Sequence, residues 1–158
     1  METISKTAQI RIVARDMGIE YTLASKIIDS YYSYVRHMIT VDEEPETGFL
    51  GFLVFSKVNK DLSTCERNTY AYQVHVVATE IGESEVTVKG VLDFLRDTIL
   101  NDIKSGMLGY NLFSLATIWT DGGRLKSRHS SSLTKSVRIR ATNWIRSEVA
   151  RDMGKTLV

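Results

Sequence analysis

A chain of 158 residues that is 43% hydrophobic and 25% charged is one large or two small globular domains. It is long enough to bury a core without disulfides or metal. A single cysteine, Cys65, excludes an internal disulfide and fits a reducing compartment, and no apolar run approaches the roughly 20 residues of a membrane span. The opening METISKTAQIRIVARD is too charged for a signal peptide, so the expected compartment is the cytoplasm. The net charge of +1 conceals an asymmetry. Residues 1–103 carry 10 Lys/Arg against 16 Asp/Glu, and residues 104–158 carry 10 against 3. A basic final third is the footprint of a polyanion binder, unless it complements the acidic part within the chain or across a dimer.

In chain order, residues 5–17 read as a short helix with Ser5 as N-cap and Ile10, Val13, Ala14 and Met17 on one face; Gly18 stops it. Residues 20–39 form the clearest helix, with Leu23, Ala24, Ile27, Ile28, Tyr31, Tyr34, Val35 and Met38 at the spacing of one buried stripe. The acidic VDEEPETG, holding the only proline, Pro45, leads to GFLGFLVFSKV (48–58), read as one buried strand. A turn-rich stretch (59–68) precedes TYAYQVHVVAT (69–79), read as a second strand. Ser84 then caps a helix over 85–105 with the stripe Val88, Val91, Leu92, Leu95, Ile99 and Ile103, ended near Lys104 and Gly106. YNLFSLATIWT (110–120) reads as a strand, and DGGRLKSRHSSS as a basic turn or flexible arm. SVRIRA (136–141) alternates apolar residues with arginines, which makes a strand with one buried and one cationic face. A last helix runs from 143 to 153 with Ala141, Trp144, Ile145 and Val149 inward. The expected fold class is α+β, in the order α-α-β-β-α-β-β-α, dividing at 82/83 into two halves of one compact unit. The recurrence of long helix, strand, polar turn and strand hints at an internal duplication.

Two segments resemble the HU and integration host factor family of DNA-bending proteins. MGIEYTLASKIID matches the family's tight turn and long second helix, and GFLGFLVFSK its glycine-phenylalanine strand signature. Gly51, Phe52 and Phe55 stand in the matching places, with Leu53 where a second glycine is usual. SVRIRATNWIRSEVA (136–150) resembles the family's final strand and C-terminal helix, with Ile139, Arg140, Ala141, Ile145, Arg146 and Val149 at matching positions. The segment 86–119 reads as a second copy of long helix and strand. The resemblance therefore implies either a single-chain pseudo-dimer or a larger HU-like variant with one short helix lost. It also implies an architectural, nucleoid-type protein that binds and bends duplex DNA, as a homodimer or an intramolecular pseudo-dimer. The family's bending wedge is a proline at each arm tip. No proline stands at either candidate tip, 59–68 or 121–132, where Leu62 and Leu125 are the available apolar substitutes.

The candidate DNA contacts are Arg124, Lys126, Arg128, His129, Lys135, Arg138, Arg140 and Arg146, with Lys57, Lys60 and Arg67 as a weaker set beside Asp61 and Glu66. Arginine's planar fork donates two parallel hydrogen bonds to a phosphate, and Arg138 and Arg140, two apart on a strand, project from one face. Tyr31, Tyr32, Tyr34, Trp119 and Trp144 read as packing residues. His37, His75 and His129 lack metal-ligand spacing, and Cys65 has no neighbouring histidine to activate it. No phosphate-cradling glycine motif occurs, Gly122 and Gly123 reading as hairpin-turn residues. The expectation is a non-enzyme with no metal, cofactor, small-molecule substrate or membrane partner. The rival is a structural or adaptor protein, such as a virion or assembly component, that uses the same scaffold to bind protein.

Overall fold

The computed structural model describes residues 2–40, 46–57, 69–106, 108–121, 123–129 and 137–141. Ser5 starts the first helix: its Oγ accepts from the Ala8 N–H at 3.3 Å, a bond that satisfies one orphan donor of α1 (Lys6–Met17). Gly18, at φ 69°, ends it in the left-handed conformation that costs a residue with a Cβ roughly 1–2 kcal/mol. α2 (Tyr21–Thr40) buries Ala24, Ile27, Ile28, Tyr31, Tyr32, Val35, Met38 and Ile39. Leu23 and Tyr34 lie half-buried at the margin of this stripe. A three-residue strand, β1 (Glu2–Ile4), precedes these helices.

Three of the sequence expectations are corrected. Residues 48–58 are not one strand. β2 (Glu46–Phe49) and β3 (Leu53–Lys57) form an antiparallel hairpin, because Leu50 and Gly51 take positive φ (52° and 77°) and reverse the chain. Residues 69–79 are not a strand but the start of α3 (Tyr70–Ile81). Their valines and tyrosines favour a strand, yet Gln73, Val74, Val77 and Ala78 are buried at helical spacing. Thr69 caps the helix through the Tyr72 N–H at 3.2 Å, and Gly82 closes it. The short helix counted as lost is therefore present. After α4 (Glu85–Lys104), residues 110–120 are again a hairpin rather than one strand, β4 (Leu108–Leu112) and β5 (Ala116–Asp121), turning through Phe113 and Ser114 at φ 58° and 62°.

The remaining strands are β6 (Arg124–His129) and β7 (Val137–Ala141). The basic stretch expected as a turn or arm is thus paired strand, with Gly123 at φ 78° in a two-residue connection from β5. The expected last helix lies outside the described residues. The architecture is mixed α+β, with four helices and two sheets among the described residues. One sheet has the order β1-β4-β5-β6 and the other β2-β3-β7.

The two helix pairs repeat with a constant displacement of 64 positions: 6 to 70, 17 to 81, 21 to 85, 40 to 104. The Gly18 and Gly82 caps obey it too. The hairpins repeat with a displacement of 63. Phe52 N–H donates to Phe49 O at 3.1 Å, and Leu115 N–H donates to Leu112 O at 2.9 Å. The second unit therefore begins at α3. Between the units lies one continuous core in which Phe49 packs against Tyr31, Tyr32, Phe52 and Phe113, with ring centroids 5.1–5.9 Å apart.

Burial pushes the phenols of Tyr31, Tyr32, Tyr70 and Tyr110 well above their ordinary range, and the carboxylates of Asp93 and Asp102 add to the effect on the last two. An acid whose folded value is raised contributes stability that is complete below its unfolded value, near 10 for tyrosine, and is lost as pH rises beyond it. Alkaline titration should therefore show tyrosinate absorbance and loss of helical circular dichroism appearing in one cooperative transition. Gradual ionisation of these four phenols in a chain that stays folded would contradict the packing described here.

Candidate nucleic-acid interface

Strand parity sorts the basic residues. In β5, Ala116, Ile118 and Thr120 are buried while Trp119 is half-exposed and Asp121 exposed, so the sheet has an inner and an outer face, with Thr117 buried although it has the outer parity. β6 pairs with β5 in the register Trp119↔Lys126, Thr117↔Arg128 and Asp121↔Arg124. Arg124, Lys126 and Arg128 are consequently on the outer face and exposed, while Leu125 turns inward onto the core. In β7, Val137 and Ala141 are buried and Arg138 and Arg140 are exposed, opposite Ser56 and Val54 of β3. Strands β6 and β7 approach one another across the two sheets.

The repeat relates these two cationic strands. Ser56 and Val54 of β3 correspond to Trp119 and Thr117 of β5 at the displacement of 63. The residues paired with them correspond likewise, Arg138 with Lys126 and Arg140 with Arg128. The edge strand beside each hairpin thus carries two cations at matching places, although the two strands come from adjoining parts of the chain.

The charges are not equally available. Arg140 lies 3.0 Å from Glu46, whose Oε1 also accepts from the Ser56 hydroxyl at 3.3 Å. The arginine side chain is 47% exposed, and such pairs stabilise by only about 0–1 kcal/mol, so a phosphate can compete for it. Arg124, Lys126, Arg128 and Arg138 make no ion pair among the described residues. His129 is exposed at the end of β6, on the parity of Leu125.

Three sequence expectations change here. Lys57 shares the inner parity of Phe55, and its Nζ donates to the Met38 carbonyl at 3.1 Å. It closes the end of α2 and does not present its charge on the outer face. Leu125 packs inward and cannot serve as an apolar wedge. Lys60, Arg67, Lys135 and Arg146, together with Leu62, Cys65 and Trp144, lie outside the described residues. Trp119, read as core, is a half-exposed aromatic beside Lys126 on the cationic face; its alternation with Ile118 and Thr120 was the signal. Tyr31 is buried, as its place on the helical stripe predicts; Tyr32, off that stripe, is buried too, while Tyr34, on it, is only half-buried.

His37 is exposed, and His75 Nδ1 lies 3.0 Å from Glu85 Oε1 across the α3–α4 corner. Among the described residues no group of three or more His, Cys, Asp or Glu is arranged to hold a metal ion, and no helix is long and apolar enough to cross a membrane. Scanned against models of known families the chain matches none, and among curated proteins it finds no match.

Proposed function

We propose that this chain is a non-enzymatic, largely sequence-independent binder of duplex DNA, folded as a single-chain pseudo-dimer of the HU and integration host factor type and acting in the nucleoid of the cytoplasm. The observation that carries the reading is the placement of cations at matching positions of two neighbouring strands, Lys126 with Arg138 and Arg128 with Arg140, all exposed on outward faces. A duplex offers two phosphate strands related by local two-fold symmetry. A protein surface with a matching pseudo-two-fold can engage both without reading base edges. The 64-residue repeat supplies within one chain the two units that a homodimer would otherwise provide. With no proline at either candidate tip, 59–68 or 121–132, and Leu125 turned inward, this reading expects binding without sharp kinking.

The test is fluorescence anisotropy of a generic duplex titrated across salt, with Arg138→Ala/Arg140→Ala alongside. Each phosphate contact adds about 0.9 to the slope of log affinity against log salt, so the double variant should lower that slope by up to ~1.8 and weaken binding to unrelated duplexes equally. The ion pair between Arg140 and Glu46 favours the rival reading, a scaffold that binds protein. Absence of duplex binding at low salt would decide for that rival.

A further inference from the structure

The repeat is broken at one place in a way that opens a cavity. On one side of the molecule Tyr70, the first residue of α3, lies over the β2–β3 turn: a Cβ built on Gly51 would meet its Cβ at 3.8 Å and its ring at 3.9 Å. The Tyr70 hydroxyl donates to Asp93 at 2.8 Å. On the other side the residue 64 positions earlier, the first residue of α1, is Lys6 in place of the tyrosine. The result is a half-open cavity of about 210 Å³ lined by Lys6, Tyr32, Ser33, Arg36, Phe113 and Ser114.

Three of the lining positions gain a polar or cationic group relative to their counterparts, and Ser33 stands where the other side has the carboxylate of Asp97; Tyr32, which stands for Arg96, runs the other way. Lys6 stands for Tyr70, Arg36 for Leu100, and Ser114 for Gly51. Two cations and a hydroxyl replace an aromatic ring, an aliphatic side chain and a hydrogen. Ser114 is exposed and holds φ 62° without being glycine, supported by its N–H donating to Asn111 Oδ1 at 3.2 Å. Arg36 donates through Nη1 to the Phe113 carbonyl at 2.5 Å, which anchors the guanidinium at the cavity wall. It makes no ion pair among the described residues, and its Nε and Nη2 donors are not used in that bond. Lys6 is held 2.8 Å from Asp29, a carboxylate that does not line the cavity.

We infer that this cavity binds a phosphate group. A guanidinium fixed in orientation, an ammonium and the hydroxyls of Ser33 and Ser114 can all donate, no carboxylate among the described residues lines the cavity, and a tetrahedral oxyanion is a ligand that such a set satisfies. The volume lies below the roughly 300–1,000 Å³ of sites for larger organic ligands, so the site takes the phosphate with little else attached. The phosphate has two sources, a free phosphomonoester or the backbone of a bound duplex, and the inference does not require the DNA reading.

The experiment is NMR titration of the full-length chain with inorganic phosphate, with adenosine monophosphate and with duplex DNA, each against chloride at equal ionic strength. Saturable shifts at Ser33, Arg36, Phe113 and Ser114 are expected. Two variants accompany it. Lys6→Tyr rebuilds the ring of the other side, with Asp29 placed to accept its hydroxyl, and Ser114→Gly removes a hydroxyl while relieving the left-handed backbone. Loss of charge-assisted hydrogen bonds should weaken phosphate binding roughly 10- to 100-fold in Lys6→Tyr, and less in Ser114→Gly, which stays folded. Arg138→Ala/Arg140→Ala should leave the affinity for free phosphate unchanged whatever it does to DNA binding. If only the duplex shifts these residues, and Lys6→Tyr weakens that response, the ligand is a backbone phosphate. If neither free phosphate nor duplex moves them, or if binding survives unaltered in Lys6→Tyr, the inference is overturned.

Discussion

Replacing both Gln9 and Gln73 by leucine should remove most of the folding stability of this protein. The two glutamines are 1% and 0% exposed and occupy matching positions in α1 and α3. Gln73 accepts from the Tyr31 hydroxyl at 2.5 Å and donates to the Gly48 carbonyl at 2.7 Å. Tyr31 Oη in turn accepts from the Leu50 N–H at 2.8 Å. Gln9 accepts from the Tyr32 hydroxyl and donates to the carbonyls of Ile4 at 3.1 Å and Asn111 at 2.9 Å. Each short helix is thereby tied to the hairpin of the other unit, Gln9 to β4 and Gln73 to β2. Leucine keeps the volume but strands a phenol and a carbonyl at the Gln73 site and a phenol and two carbonyls at the Gln9 site. A buried unsatisfied group costs about 1–3 kcal/mol, so each variant should lose about 2–4 kcal/mol and the pair about 4–8, against a total of about 5–15 for such domains. Urea unfolding measures this directly. A double variant within about 1 kcal/mol of the parent would mean that apolar packing alone joins the units.

Charge reversal at the two matching cations should have the largest effect on function. Lys126→Glu and Arg138→Glu change exposed residues on paired strands, where substitutions usually alter stability by less than about 0.5 kcal/mol. Thermal unfolding should therefore be almost unchanged. Under the DNA reading each removes one phosphate contact and adds a repulsion, so the pair should weaken duplex binding by roughly 100-fold or more at moderate salt, with the salt slope falling by about 1.8. The two single variants should weaken binding to similar extents, because the repeat gives them equivalent places. A strongly unequal pair, with one reversal silent, would mean that the two strands do not face the same ligand.

Parts of this fold were legible from local signals alone. Ser5, Gly18 and Ser84 mark helix ends because capping is chemistry between neighbours along the chain, and all three act as expected. The stripe from Val88 to Ile103 is buried throughout, since helical periodicity records the side facing the core. The valines of 69–79 favour a strand by type, but Val74 and Val77 are buried at helical spacing. Thr69, the Val74-Val77-Ala78 spacing and Gly82 together described a helix. The two hairpins were harder. In 48–58 only Gly51 marks the turn, and in 110–120 no glycine does, because Phe113 and Ser114 hold left-handed backbone themselves. An apolar run gives no local sign that it folds back on itself when both arms of the hairpin are buried.

The candidate interface divides in the same way. The sequence by itself determined the concentration of cations in the last third, the alternation that exposes Arg138 and Arg140, and the helix caps that delimit the repeating unit. Each depends on residues within a few positions of one another. Tertiary structure decided that β7 completes the first unit's sheet and β6 the second's, which makes Lys126 and Arg138 counterparts. It also decided that Lys57 and Leu125 turn inward, that Glu46 shares Arg140, and that Lys6 leaves open the cavity that Tyr70 fills on the other side. These are relations between residues distant in the chain, brought together by strand register and core packing, and no local pattern encodes them.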